Sequence, residues 1–305
     1  MHKIVAKWPI FANFSHFKQK SSAVFLRLMY NSKRMKLGVS TASYFPHTRV
    51  EDTFDKLALL KPDACEIFFE THSQYCEEFA KVMLDRMKKA QEVYPFELHS
   101  VHSLTNQFEP DLFSVGPRAR ADAIQTLNNF LSVGKFLGAK YYTFHGATIL
   151  KRTSKANMDF DRIARIYNEL HEIAEGYGID LCYENVHWTY YHFPEFIEEL
   201  EKRCEKLSTV LDIKQARQAG YTYKDFIYKM GKHLRTVHVC DYDENGITKI
   251  PGRGAVDFVE LFKILQDMGF DGSVLMEVYS KDYSSLDDLK ESYDYLKVCL
   301  DKSKK

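Results

Sequence analysis

Eight short apolar runs alternate with longer amphipathic segments along this chain, and that alternation constrains the fold more than any other feature. The runs are LGVST (37–41), ACEIFFE (64–70), FELHSVH (96–102), YYTFH (141–145), DLCYENV (180–186), STVLDI (208–213), RTVHVCD (235–241) and SVLMEV (273–278). Rich in Val, Ile, Tyr, Phe and Cys, they have the composition of strands buried on both faces of a parallel sheet. Between them, residues 119–137 and 160–176 repeat apolar side chains at intervals of three and four, as helices do. Gly138 and Gly176 or Gly178 follow these helices where a left-handed cap is expected. Asp257, with Glu260 three residues on, signals another helix start, and Gly269 and Asp271-Gly272 turn the chain into the eighth run. Eight such units between Met35 and residue 305 match the roughly 250 residues of a closed eight-unit barrel. An open doubly wound sheet would carry a glycine-rich phosphate loop after its first strand, whereas Ser40-Thr41-Ala42-Ser43 stands there. The expected fold is α/β: a single (β/α)8 TIM barrel over residues 35–305, preceded by a basic N-terminal extension.

That extension, residues 1–34, holds seven basic residues and no Asp or Glu. Its composition is that of a transit peptide, but it lacks an apolar region followed by a small-residue cleavage site. The expectation is a disordered tail or the product of an upstream start, since Met35 opens a well-formed strand. Without it, an overall balance of 42 basic and 42 acidic residues becomes 35 against 42. An acidic body disfavours a nucleic-acid partner. No run approaches the 18 apolar residues of a membrane span, so no membrane partner is expected. The six cysteines form no CxxC pair or zinc-finger spacing, which fits a reducing, cytoplasmic setting. A homo-oligomer is left open.

Barrel enzymes build their sites at the C-terminal ends of the strands. Reading the last residues of runs two to eight gives Glu70, His102, His145, Glu184, Asp212, His238 and Glu277. Burying that many charges without a counter-ion costs several kcal/mol each, and one divalent metal is the economical counter-ion. Glu184, Asp212, His238 and Glu277 offer three carboxylates and one imidazole, a set suited to Mn²⁺, Mg²⁺, Co²⁺ or Zn²⁺.

With these residues in place, the chain from Met35 to about Lys297 resembles the xylose isomerase-like TIM-barrel superfamily, in particular its sugar phosphate isomerase/epimerase branch. The carriers are FHGA (144–147), YENV (183–186), LDIKQARQAG (211–220), VHVCDYDENG (237–246), PGRGAVDF (251–258) and LMEVY (275–279). The resemblance implies that Glu184, Asp212, His238 and Glu277 bind one metal and that Glu184 and Glu277 are also the catalytic acid/base pair. AP endonucleases of the same superfamily use three zinc ions, with histidines matching His102 and His145. This chain has Gln215 where that branch has a histidine, and Gly246-Ile247-Thr248 in place of an Asp-x-His. A one-metal site is therefore expected.

The implied activity is proton transfer beside a sugar carbonyl through an enediolate, giving epimerisation or aldose–ketose isomerisation. A sugar dehydratase shares that intermediate, and an AP-endonuclease-like phosphodiesterase is the more distant alternative. His102, His145, Lys214 and Glu70 are candidate substrate contacts. Arg253, between Gly252 and Gly254, offers a bidentate fork for a phosphate or else neutralises Asp241, Asp243 or a metal-binding carboxylate. The partner is thus a small sugar or sugar phosphate.

Overall fold

A computed structural model describes residues 35–104, 108–149 and 158–304; the extension at residues 1–34 lies outside them. Eight parallel strands close on themselves: β1 (Lys36–Ser40), β2 (Ala64–Phe69), β3 (Glu97–Ser103), β4 (Tyr141–Phe144), β5 (Asp180–Glu184), β6 (Ser208–Asp212), β7 (Leu234–Val239) and β8 (Ser273–Met276). Each pairs with the next, and β8 returns to β1 with Lys36 opposite Ser273 and Val39 opposite Met276. All eight apolar runs are strands, with ends shifted by at most two residues. β1 runs so close to β2 that a Cβ on Gly38 would sit 2.3 Å from the Ala64 carbonyl oxygen, which explains glycine there.

The expected helices are present as Pro117–Leu137 and Phe160–Gly176. The first has proline at N1 and stops at Gly138, whose φ of 88° suits glycine. The second is capped by Asp159, which accepts from Arg162 N. Asp257 caps Phe258–Asp267 by accepting from Glu260 N, and Leu286–Lys302 closes the outer ring behind a Ser285/Asp288 capping box. Outward strand residues such as Ile67, Val101, Tyr142, Leu181, Leu211 and Val237 are fully buried beneath these helices. Among the described residues, no helix is long and apolar enough to cross a membrane.

The barrel interior departs from the usual apolar layering. Two register shifts interrupt the ladders, one at Cys65/Glu66 between β2 and β3, the other at Thr209/Val210 between β6 and β7. The first is a bulge that skips His99, so His99 and Ser100 both reach interior partners although a regular strand would alternate them. His99 bonds Thr236 Oγ1 at 2.8 Å and Ser273 Oγ at 3.0 Å. Burial lowers its pKa to about 4, so this plug of the lower barrel is neutral. Ser100 Oγ instead donates to Glu66 at 2.7 Å.

Candidate active site

The C-terminal strand ends bring four of the sequence-derived groups to one place. Glu184 (β5), Asp212 (β6), His238 (β7) and Glu277 (just past β8) are all buried, and one ligand atom from each lies within 4.8 Å of the others. His238 Nδ1 sits 2.9 Å from Glu184 Oε1 and 2.8 Å from Glu277 Oε2. Its other nitrogen, Nε2, is 3.2 Å from Glu66 Oε1. Nδ1 is therefore the atom turned toward Glu184 and Glu277, and Glu66 fixes the ring from behind, an arrangement like that of an outer carboxylate on a metal-binding histidine.

The charges of the cluster shift one another. Burial, with the like charges of Glu184 and Glu277, pushes Asp212 up to about 6, although Lys214 and His238 pull the other way. Burial would also raise Glu277, but His238 and His102 outweigh it and hold its carboxyl near 2. His238 is raised well above the usual imidazole range because Glu277 and Glu66 overcome the effect of burial. Three buried carboxylates around one imidazole nitrogen match a divalent metal with oxygen-rich preference, so the residues present fit such an ion.

His102 and His145 stand beside this quartet. Their Nε2 atoms are 2.7 Å apart, and His145 Nε2 is 3.3 Å from Glu184 Oε2. Each ring is anchored through Nδ1, His102 on Glu66 at 3.2 Å and His145 on Glu109 at 3.0 Å. His102, His145 and Glu184 form a second ligand-like cluster that shares Glu184 with the first. Burial would lower the His102 pKa, but Glu66 and, more distantly, Glu277 and Glu184 raise it to about 9.

Two carboxylates escape a reading confined to strand ends. Glu66, in mid-β2, is fully buried and also accepts from Ser100 Oγ and, at 2.8 Å, Thr143 Oγ1. Its signal was the lone acid inside an otherwise apolar run. Glu109, on the one-turn helix Glu109–Leu112 after β3, accepts from His145 N, Gly146 N, Ser103 Oγ and Tyr142 OH besides the His145 ring. Nothing in the local sequence marks it.

Two of the candidates lie apart from the quartet. Glu70 is not with the cluster: it follows β2, is only half-buried, and faces Glu51 and the backbone of Val50. Burial and Glu51 raise its pKa, and Glu66 takes the inward position on β2. Arg253 does not reach the site either. Its half-exposed guanidinium pairs with Asp288 and, at 3.6 Å, Glu291. The amides of Gly252 and Gly254 do turn toward an anion, but it is the buried carboxylate of Asp241, which also accepts from Tyr242 N and Val256 N.

A cavity of about 280 Å³ rises from the quartet, the small end of the range for small-molecule sites. Phe68, Val186 and Trp188 give it apolar walls; Lys214, Gln215, Gln218, Thr248 and Lys281 line it as well. Lys214, the remaining sequence candidate, is thus in place, with its ammonium 4.9 Å over the Tyr279 ring. Burial would lower its pKa, but Asp212, Tyr279 and Glu277 raise it, so it is a cation.

Comparison with known proteins follows the same lines. Residues 54–299 match the family described as xylose isomerase-like TIM barrel. Fructoselysine 3-epimerase of Escherichia coli is 22% identical over 252 residues, covering 80% of this chain and 90% of its own. Among solved structures, a D-tagatose 3-epimerase-like protein superposes with a TM-score of 0.73 at 22% identity, covering 88% of this chain and 98% of its own. The IolI protein, solved with a zinc atom, gives 0.70 at 17% identity, covering 88% and 99%. At these identities the structural likeness is one of fold.

Proposed function

The chain belongs to the xylose isomerase-like TIM-barrel family, and from that premise we propose that it is a divalent-metal-dependent sugar isomerase or epimerase using Glu184 and Glu277 as its acid/base pair. The observation that carries this reading is the buried cluster of Glu184, Asp212, His238 and Glu277, delivered by four successive strands, with Glu184 and Glu277 both against His238 Nδ1. Glu184, Asp212, His238 through Nδ1, and Glu277 would hold the metal; the IolI protein of the same fold was solved with a zinc atom. When bound, the ion supplies Lewis-acid polarisation of a carbonyl and charge stabilisation beside it.

The protein's own groups account for the rest. Glu184 and Glu277 come from strands separated by β6 and β7, so they address the substrate from different sides. One carboxylate takes the proton from the carbon beside the carbonyl, leaving an enediolate. The other returns it, to the opposite face for epimerisation or to the adjacent carbon for isomerisation. His102, cationic through Glu66, donates from Nε2 to His145 Nε2 at 2.7 Å, and a substrate oxygen entering between the two rings would take over that hydrogen bond. His145, whose Nδ1 hydrogen is held by Glu109, keeps Nε2 as an acceptor. Phe68 and Trp188 cover the C–H faces of a sugar and exclude water. The relatives named for sugar 3-epimerisation point to a ketose.

The test is proton NMR in deuterium oxide with Mn²⁺-loaded protein and a panel of ketoses and their phosphates. Loss of one C–H signal beside the carbonyl, with a new epimer or aldose, is the expected result. Exchange with none of them would overturn the reading. The cluster of His102, His145 and Glu184 favours one rival, metal-dependent cleavage of abasic DNA. A cavity of about 280 Å³ opposes it, and nicking of an abasic-site duplex would establish it.

A further inference from the structure

The loops that follow β5 and β6 are tied together by side chains that proton transfer does not use. Asn185, buried just past Glu184, holds both polar groups of the Asp212 backbone. Its Nδ2 donates to the Asp212 carbonyl at 3.0 Å, and its Oδ1 accepts from Asp212 N at 2.8 Å. Asp212 in turn starts the short helix Ile213–Gln218 by accepting from Gln215 N at 2.9 Å. The backbone that carries Gln215 is therefore set relative to the quartet, and its half-buried side chain lines the cavity with Glu184, Asp212 and Glu277.

A second residue of the β5 loop orients the Gln215 amide. Gln215 Oε1 accepts from His187 N at 3.3 Å and from His187 Nδ1 at 2.6 Å. A backbone N–H only donates, so the atom facing His187 is the oxygen, and the His187 ring carries its hydrogen on Nδ1. The NH₂ is what remains for the cavity, and it donates to nothing among the described residues. A glutamine free to flip presents either a donor or an acceptor, whereas this one presents a donor alone. His187 itself is exposed and does not line the cavity.

Resting on the epimerase reading of this site, we infer that Gln215 is a specificity-determining residue for the ketose and that His187 positions it. The Gln215 NH₂ donates to one hydroxyl of the sugar away from the reacting carbons, and His187 keeps the amide from turning its oxygen inward. A ketose that places C–H there instead of oxygen leaves the donor unpaired and binds less well.

Titration calorimetry of the Mg²⁺-loaded protein with D-fructose, D-tagatose and L-sorbose tests the inference. These ketoses differ only at C4 or C5, so proton transfer beside the carbonyl does not interconvert them. One hydrogen bond made or missed should spread their affinities by about tenfold. Gln215→Met should shrink the spread to about twofold, and His187→Ala should shrink it in part. His187→Asn, whose NH₂ replaces the Nδ1 hydrogen, should restore it, which loss of a merely structural contact would not allow. In protein labelled with ¹⁵N-glutamine, the Gln215 NH₂ signals, identified by their absence from Gln215→Met, should shift when the tightest of the three is added. No spread, a spread that Gln215→Met or His187→Ala leaves untouched, unmoved NH₂ signals, or binding of none of the three would overturn the inference. Deuterium exchange on the same samples keeps the two readings apart. The expected binding pattern without exchange sinks the epimerase reading alone, and exchange with a spread indifferent to Gln215→Met sinks this one alone.

Discussion

Asp212→Asn should stabilise the metal-free protein at neutral pH while weakening the metal-loaded one. The Asp212 carboxyl is raised from 3.8 to about 6, chiefly by burial and by the charges of Glu184 and Glu277. A folded-state pKa above the unfolded value means that the native protein holds this proton more tightly. The corresponding stability is present in full below pH ~3.8 and is lost as pH rises through about 6. At about 1.4 kcal/mol per unit, the ionised carboxylate costs the metal-free fold roughly 3 kcal/mol at pH 7. Asparagine keeps the oxygen that accepts from Gln215 N at 2.9 Å and removes the charge. At about 2 °C per kcal/mol for a chain of this size, metal-free Asp212→Asn should melt about 6 °C above wild type at pH 7 and level with it near pH 4. Excess Mn²⁺ should reverse the order, since a ligand at a thousand times its Kd adds about 4 kcal/mol to the protein that binds it. Thermal melts followed by circular dichroism, with chelator at both pH values and then with Mn²⁺, supply all three comparisons. A metal-free variant less stable than wild type at pH 7 would refute the reasoning, because Asp212 would then be a satisfied structural carboxylate.

Three further outcomes follow from the geometry. Glu109→Gln keeps the shape but removes the charge that holds the His145 Nδ1 hydrogen. It should lower kcat about 10- to 100-fold with a smaller change in KM, and shift the His145 ring signals in NMR; unchanged signals would deny Glu109 its positioning role. Arg253→Ala removes a half-exposed ion pair worth at most about 1 kcal/mol. It should leave KM for phosphorylated and free ketoses alike within about twofold, and a selective rise for the phosphates would restore it to the site. His99→Phe removes a neutral imidazole bonded to Thr236 and Ser273 and leaves two buried hydroxyls unpaired, at a cost of about 1–3 kcal/mol each. Urea unfolding should show that loss, and a neutral result would mean the hydroxyls find other partners.

The barrel was legible because buried parallel strands and amphipathic helices leave different periods in the sequence, and eight repetitions leave little room for another architecture. The quartet was legible because the functional groups of a barrel sit where strands end, and Glu184, Asp212, His238 and Glu277 lie within one residue of the ends of theirs. The misses have equally local causes. Glu66 stands at the register shift itself, four residues before the charge that closes the run, so a rule about ends selected Glu70. His99 and Ser100 share the interior only because the register skips there, which no alternation pattern contains. Glu109 reaches His145 from another loop, across 36 positions of chain, a contact made by tertiary folding alone. The Gly252-Arg253-Gly254 turn has the backbone expected of an anion cradle, but Asp241, ten residues before the first glycine amide's neighbour, fills it from within.

The most direct test of the central claim is solvent exchange by Glu277→Gln. Mn²⁺-loaded wild type and variant would be incubated with an accepted ketose in deuterium oxide, and deuterium at the carbon beside the carbonyl followed by mass spectrometry. Wild type should incorporate it during turnover, while the variant, folded by circular dichroism, should lose incorporation by several orders of magnitude. Undiminished exchange in the folded variant would remove Glu277 from the acid/base pair and contradict the mechanism built on it.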